Sequence, residues 1–281
     1  MRKKEIFYKL AREDGWDFHT GNTINYRENI GKVVKCPNPN PELGVCSNGV
    51  IHASKNPNDC FIGAGIPCSA YKVKGTPTCG NEQKNGFTEL EVLEEIEDLN
   101  TLFGWRYSEA KTPINPFMLP KKEVDKQDLK DLQAWSSVWN LVRASIWDFD
   151  RDPGRTSVWD AIGSSIRASV RDSVWDSAWD SVRASVGTSI MDSVASVEYS
   201  VTNSVWDSVK AYIGSLFPNI KKWKYVEHKE GEYPFQSIVN LWKRGLVASY
   251  DTKKWRLHSG KDAEIVWKGT IEDLEKEVEE N

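Results

Sequence analysis

From Ser157 to Gly214 the chain repeats a four-residue unit, Ser-Val-x-x, almost without a break, and this limits the available folds more than any other feature. It reads SVWD-AIGS-SIRA-SVRD-SVWD-SAWD-SVRA-SVGT-SIMD-SVAS and, after one three-residue step at Val197, resumes as SVTN-SVWD-SVKA-YIGS. Two earlier units within Ser137–Asp148 keep the same phase, because Ile146 and Val158 are twelve residues apart. On an α-helix a residue at every fourth position advances about 400° per unit. Its apolar stripe therefore drifts by about 40° per repeat, roughly a full turn between Val158 and Val194. Ser, Val, Ile, Trp and Asp are also mediocre helix formers.

Both arguments predict a β-solenoid in which each unit is one side of a polygonal coil. Val158, Ile162, Ile166, Val170, Val174, Val182, Val186, Ile190 and Val194 then point inward. Asp and Ser occupy the corners, where they can hydrogen-bond backbone N–H groups released by the turn. Trp159, Arg167, Arg171, Trp175, Trp179 and Arg183 fall on the outward position. Three sides per coil give a twelve-residue period relating Trp135, Trp147 and Trp159; four sides give sixteen, with Trp159 over Trp175; twelve is preferred. At about 4.8 Å per coil the repeat makes a rod on the order of 30 Å long. The competing reading is a helical hairpin or bundle that tolerates a wound stripe.

With 281 residues and 39% hydrophobic content, the chain can bury one moderate core and two smaller ones. The expected fold is mixed α+β and β-solenoid. An N-terminal α+β domain covers residues 1–118, a capping helix and the tetrapeptide-repeat solenoid cover 119–217, and a small C-terminal α/β cap with an acidic tail covers 218–281. In the first domain strands are expected at Ile6–Leu10, Gly31–Cys36 and Pro67–Lys74, with a hairpin turning at Asn48-Gly49. Thr88-Glu89-Leu90-Glu91 reads as a capping box that opens a helix closed by Gly104. After Phe217-Pro218 come a helix near Pro234–Arg244, three strands at Leu246–Tyr250, Trp255–His258 and Glu264–Lys268, and an acidic amphipathic helix.

A formal net charge of −4 is too small for a mimic of DNA. Met1 is followed by Arg2-Lys3-Lys4-Glu5 without an apolar stretch, and no run of eighteen apolar residues occurs, so the expectation is a soluble, cytoplasmic protein with no membrane partner. Cys36, Cys46, Cys60, Cys68 and Cys79 are spaced by 10, 14, 8 and 11 residues, which matches no common zinc pattern even with His52. Reduced thiols, no metal and no cofactor are expected.

The SVWDSVRASV-type repeats, the stretch CSNGVIHASKNPNDC and the C-terminal LWKRGLVASYDTKKWRLHSG together resemble a family of uncharacterised phage and environmental microbial proteins. That resemblance implies a viral or bacterial origin, hence the cytoplasm of a host cell if viral, and a modular build; it implies no chemistry. The first domain is loosely similar to ADP-ribosyltransferase-type folds, in which a His or Arg near an early strand and a Ser or Tyr on a later one clamp a nicotinamide dinucleotide. That similarity implies His19, Tyr26, Arg27 and Ser54 as catalytic candidates, with Glu89 or Glu91 as the acid, although the capping box also accounts for both glutamates.

Two functional expectations follow. The first is a non-enzymatic binding protein that presents the outward Trp and Arg side chains to a protein partner, with single-stranded nucleic acid as the other ligand such a surface could take. The same side chains could instead merely coat a thin solenoid, at about 0.5–1 kcal/mol per exposed cation–π pair. The alternative function is an enzyme acting on a nucleotide or nucleic acid from a site in residues 1–118. Convergence of His19, Tyr26, Arg27 and Ser54 in one cleft is the feature that separates the two.

Overall fold

The computed structural model describes residues 5–147, 157–194, 199–224 and 226–280, and divides them into two compact units. The first contains the chain up to Lys111 together with Val170–Ala178; the second contains Thr112–Ser169 and Trp179 onward.

In the first unit, β1 (Glu5–Arg12), β2 (Val33–Lys35), β3 (Ile51–Ala53), β4 (Cys68–Gly75), β5 (Cys79–Gly80), β6 (Asn85–Phe87) and β7 (Glu89–Ile96) precede two short helices, α1 (Leu99–Phe103) and α2 (Tyr107–Lys111). They form two antiparallel sheets, β1-β4-β7-β2 and β3-β6-β5. Phe7, Ala11, Tyr26, Tyr71, Phe87 and Val92 lie in the core between them. The stretch expected to be a capped helix is β7. Leu90 and Val92 are buried while Glu89 is exposed and Glu91 and Leu93 are half-buried, so over Glu89–Leu93 the period of two outweighs the partial helical spacing of Leu90, Leu93 and Ile96. The helix start lies further on, where the Asp98 carboxylate accepts from the Thr101 N–H at 3.0 Å, and Gly104 at φ 73° ends α1. The Asn48-Gly49 hairpin is also absent; β3 pairs with β6, and the tight hairpin is β5–β6.

The second unit comprises α3 (Lys126–Trp147), α4 (Ser157–Ser169), the later part of α5 (Asp172–Val194), α6 (Tyr199–Gly214), α7 (Gln236–Lys243), β8 (Leu246–Tyr250), β9 (Trp255–Ser259), β10 (Glu264–Gly269) and α8 (Ile271–Glu280). The antiparallel sheet β10-β9-β8 packs beside α6 and α7. The wholly buried Asp128 carboxylate, near the start of α3, accepts from Arg244 Nε at 2.7 Å and from Lys122 Nζ, while Arg244 Nη2 reaches Asp131 at 2.5 Å. One buried anion thus ties the start of α3 to the end of α7, and removing it would strand two cations. Among the described residues no helix is long and apolar enough to cross a membrane.

The tetrapeptide run corrects the solenoid expectation, because its described residues are helical throughout α4, α5 and α6 and add no strand to any sheet. The drift argument presumed one uninterrupted helix. A line of every fourth residue is an i±4 ridge inclined by about 26° to the axis, the relief that seats in a neighbouring helix's groove. In α4 (Ile162, Ile166) and α6 (Val205, Val209) the buried line is short, and a 40° drift stays inside an apolar stripe about 100° wide. In α5 the line is longer: Val174 and Ala178 are buried within the first unit, and Val182, Val186 and Ile190 within the second. Two of the serines, read as corner residues, instead bond back to their own helices. Ser165 Oγ donates to the Ala161 carbonyl at 2.6 Å and Ser208 Oγ to the Ser204 carbonyl at 3.4 Å. The step at Val197 lies outside the described residues.

A helical repeat predicts that Val186→Asp, which puts an unpaired charge at a fully buried position, lowers stability by about 3 kcal/mol or more. Exposed Arg183→Ala should stay within about 0.5 kcal/mol of wild type. Denaturant melts followed by circular dichroism read both; equal damage, or a spectrum without strong helical minima, contradicts the assignment.

Candidate functional site

Alternation along β1 places Lys9 between Phe7 and Ala11 on the buried face, where it is only 5% exposed. A lone ammonium there would be costly, and it is paired: Lys9 Nζ lies 2.7 Å from Asp17 Oδ2. The Tyr26 hydroxyl donates to the same oxygen at 3.1 Å, and the backbone N–H groups of His19 and Thr20 donate to Oδ1 at 2.9 and 3.2 Å. Burial alone would raise the Asp17 pKa, but the Lys9 charge and these donors outweigh it and hold the carboxyl well below the usual range. Tyr26 moves the other way, its phenol pushed well above 10 by burial and by the Asp17 charge. Asp17 is therefore a fully engaged anion whose effect is to fix the turn that carries His19.

Beside this network a cleft of ≈ 430 Å³ opens between Asp17, His19 and Thr20 on one side and Cys46, His52 and Lys84 on the other. Ile24, Val50, Ile51 and Ile62 supply apolar wall. A second void of ≈ 20 Å³, about the size of one water, is bordered by Lys9, His19, His52, Ser54, Cys60 and Lys84. Three local devices hold the rim. Gly63 lets the His19 ring lie against its turn, since a Cβ at residue 63 would sit 2.7 Å from His19 Nε2. His52 Nε2 donates to the Val45 carbonyl, leaving Nδ1 as the acceptor. Lys84 ends the β5–β6 turn, where Asn81 Oδ1 accepts from the N–H groups of Gln83 at 3.0 Å and Lys84 at 2.8 Å.

The electrostatics of this wall are unusual. Burial, then the charges of Lys84 and Lys9, lower the His52 pKa from 6.5 to about 4, so the imidazole is neutral at physiological pH. The Lys84 pKa is also lowered, chiefly by burial. Its half-buried ammonium has no hydrogen bond or ion pair among the described residues. Cys60, whose thiol donates to the Tyr8 carbonyl at 3.2 Å, is pushed up to about 11 by burial and is no nucleophile.

Of the sequence candidates, His19 and Ser54 border the same void, although Ser54 is 1% exposed and bonded to Tyr8 through its backbone. Tyr26 stands behind the cleft and acts on Asp17. Arg27 is elsewhere, held by Glu95 at 2.9 and 2.6 Å and by Ser69, and Glu91 sits in β7 opposite Val33 and Lys74. The outward row of the repeat is only partly displayed. Trp175 is 1% exposed, Trp179 packs its ring on Trp206 with centroids 5.6 Å apart, and Arg171 Nε pairs with Asp59 at 2.9 Å. Arg167, Arg171 and Arg183 are exposed, and the side chain of Trp159 lies outside the described residues. Sequence reasoning missed Lys9, Asp17 and Lys84; only Lys9 carried a signal, as a charge on the Phe7–Ala11 face of a strand.

In the second unit Ser249 Oγ donates to His258 Nε2 at 2.7 Å while Nδ1 donates to the Ala263 carbonyl at 3.0 Å. The arrangement has the form of a nucleophile and base, but Ser249 is wholly buried, so the pair braces β8 against β9. Comparison with protein-family models, with curated proteins and with solved structures finds no match.

The His52 shift fixes a pH dependence. A folded-state pKa of about 4 against 6.5 means that the unfolded chain takes the proton first. The stability contributed by His52 is complete above pH 6.5 and falls as pH drops from 6.5 towards 4. Lys84→Gln removes one of the charges that depress His52 and should raise its pKa, read from the imidazole proton shifts by NMR. An unchanged titration would place Lys84 away from His52.

Proposed function

We propose that the protein is a binding protein whose site is the cleft of the first unit, and that its ligand is a small molecule with an anionic group and an apolar body. The supporting observation is the half-buried Lys84 ammonium, which has no counter-ion among the described residues. An unpaired charge in a partly desolvated wall is poorly solvated, and an arriving anion relieves that cost. Asp17 also lines the cleft, but its ion pair with Lys9 weakens its opposition to an anion. Neutral His52 and the hydroxyl of Thr20 offer further polar contacts, and the apolar wall receives the ligand's body. The volume falls within the range of small-molecule sites, about 300–1,000 Å³.

A second reading, an enzyme acting on a nicotinamide dinucleotide in the manner of ADP-ribosyltransferases, is favoured by one observation: His19 and Ser54 border one void, with the Tyr26–Asp17 pair behind it. The displaced positions of Arg27 and Glu91 weigh against it, since they leave that reading without its cation and its acid at the cleft.

Calorimetry with a panel of carboxylates and nucleoside phosphates tests the proposal. A charge-assisted contact is worth about 1.5–3 kcal/mol, so Lys84→Gln should weaken the best ligand roughly tenfold or more, while Lys84→Arg should largely retain it. Binding indifferent to Lys84→Gln contradicts the anion site. Release of nicotinamide from the dinucleotide, lost in His19→Ala, would establish the second reading instead.

A further inference from the structure

Lys84 differs from an ordinary anion-binding lysine in three ways. It is half-buried rather than fully solvated, its ammonium has no hydrogen bond or ion pair among the described residues, and its backbone N–H donates to Asn81 Oδ1 at 2.8 Å. It shares its cleft with an imidazole whose Nε2 is committed to the Val45 carbonyl, which leaves Nδ1 as the base. An amine without an ion pair in a partly dry pocket is the arrangement that favours lysine as a nucleophile towards carbonyl groups.

We infer that the cleft takes 2-oxo acids with an apolar side chain and holds them as an imine on Lys84 Nζ. The inference rests on the anion-binding reading above. The carboxylate is drawn by the cation, and in a 2-oxo acid the carbonyl carbon is one bond from that carboxylate, so the group that recruits the ligand delivers its electrophile to the same nitrogen. Ile24, Val50, Ile51 and Ile62 line the space left for the side chain. The ammonium sheds its proton to water, and neutral His52 offers Nδ1 as a hydrogen-bond acceptor. The Nζ lone pair attacks the carbonyl carbon, an N–C bond forms, and the π pair of the carbonyl moves to oxygen. Proton transfer gives the carbinolamine, whose oxygen then leaves as water with the two hydrogens that the neutral amine carried. The imine nitrogen takes a proton and keeps the positive charge beside the carboxylate. No electrons are gained or lost overall, so no oxidant, reductant or cofactor enters the step. The lowered Lys84 pKa acts in the same direction, since it raises the fraction of neutral amine at physiological pH.

The test uses the full chain with 4-methyl-2-oxopentanoate and, in parallel, 4-methylpentanoate, which has the same carboxylate and side chain but no carbonyl. Cyanoborohydride reduces an imine to a stable secondary amine, which peptide mapping locates. The expected result is one reduced adduct per chain on Lys84, with labelling several-fold above that of any other lysine. Lys84→Arg should abolish it while both proteins still bind 4-methylpentanoate. Adducts spread over exposed lysines, or no adduct, overturn the imine assignment. If 4-methylpentanoate binds without any trapping of the oxo acid, only the imine falls; if it fails to bind the wild-type chain, the anion-binding reading falls with it.

Discussion

The buried ion pair between Lys9 and Asp17 is the constraint on which the first unit's cleft depends. A strand whose core face carries a lysine is stable only if an anion meets it, and the anion comes from a turn with no regular structure of its own. Once paired, Asp17 also accepts from Tyr26 and from two backbone N–H groups, so one carboxylate orders the residues from 17 to 26. Gly15, at φ 89°, makes the approach of this segment workable, since a side chain there would meet Asn25 and Arg27. The position of His19 is a consequence of these contacts.

The same pair sets the electrical character of the cleft. Because Asp17 is paired with Lys9, Lys84 is left without an ion pair among the described residues, and burial, with the charges of the two lysines, holds His52 neutral. A neutral base and an uncompensated amine therefore coexist in one pocket, which a cleft lined by a free carboxylate would not permit. The second unit is built around a different buried anion, Asp128, whose partners Arg244 and Lys122 are structural. Both units thus use a buried carboxylate as a staple; in the first, Lys84 stands near it without an ion pair among the described residues.

Much of this architecture could be read from residue patterns, and its limits have physical causes. β1, β2, β4, α7 and the sheet β8-β9-β10 lie at their expected places, because alternation and turn residues act locally. The repeat was misread because a period of four was tested against one long partner, whereas short helices need only an i±4 ridge that fits a neighbour's groove. β7 was misread because Thr88-Glu89-Leu90-Glu91 satisfies a capping pattern while the pairing partners β4 and β2 are distant in sequence. His19 and Ser54 were legible as polar residues near strands. Lys84 was not, since a lysine in an Asn-rich turn ordinarily points to solvent, and its half-burial arises only when the β5–β6 hairpin folds over the cleft.

The central claim is that Lys84 is a partly desolvated amine with no ion pair among the described residues, and titration of its side chain by NMR in the ligand-free protein measures this directly. The account predicts a pKa below the usual 10.5, because burial lowers it by more than the opposing charges, Asp17 among them, raise it. It also predicts that an anion which fills the cleft raises that pKa. A value at or above 10.5 in the empty protein would mean that Lys84 is solvated or already paired, and would contradict both the anion site and the chemistry built on it.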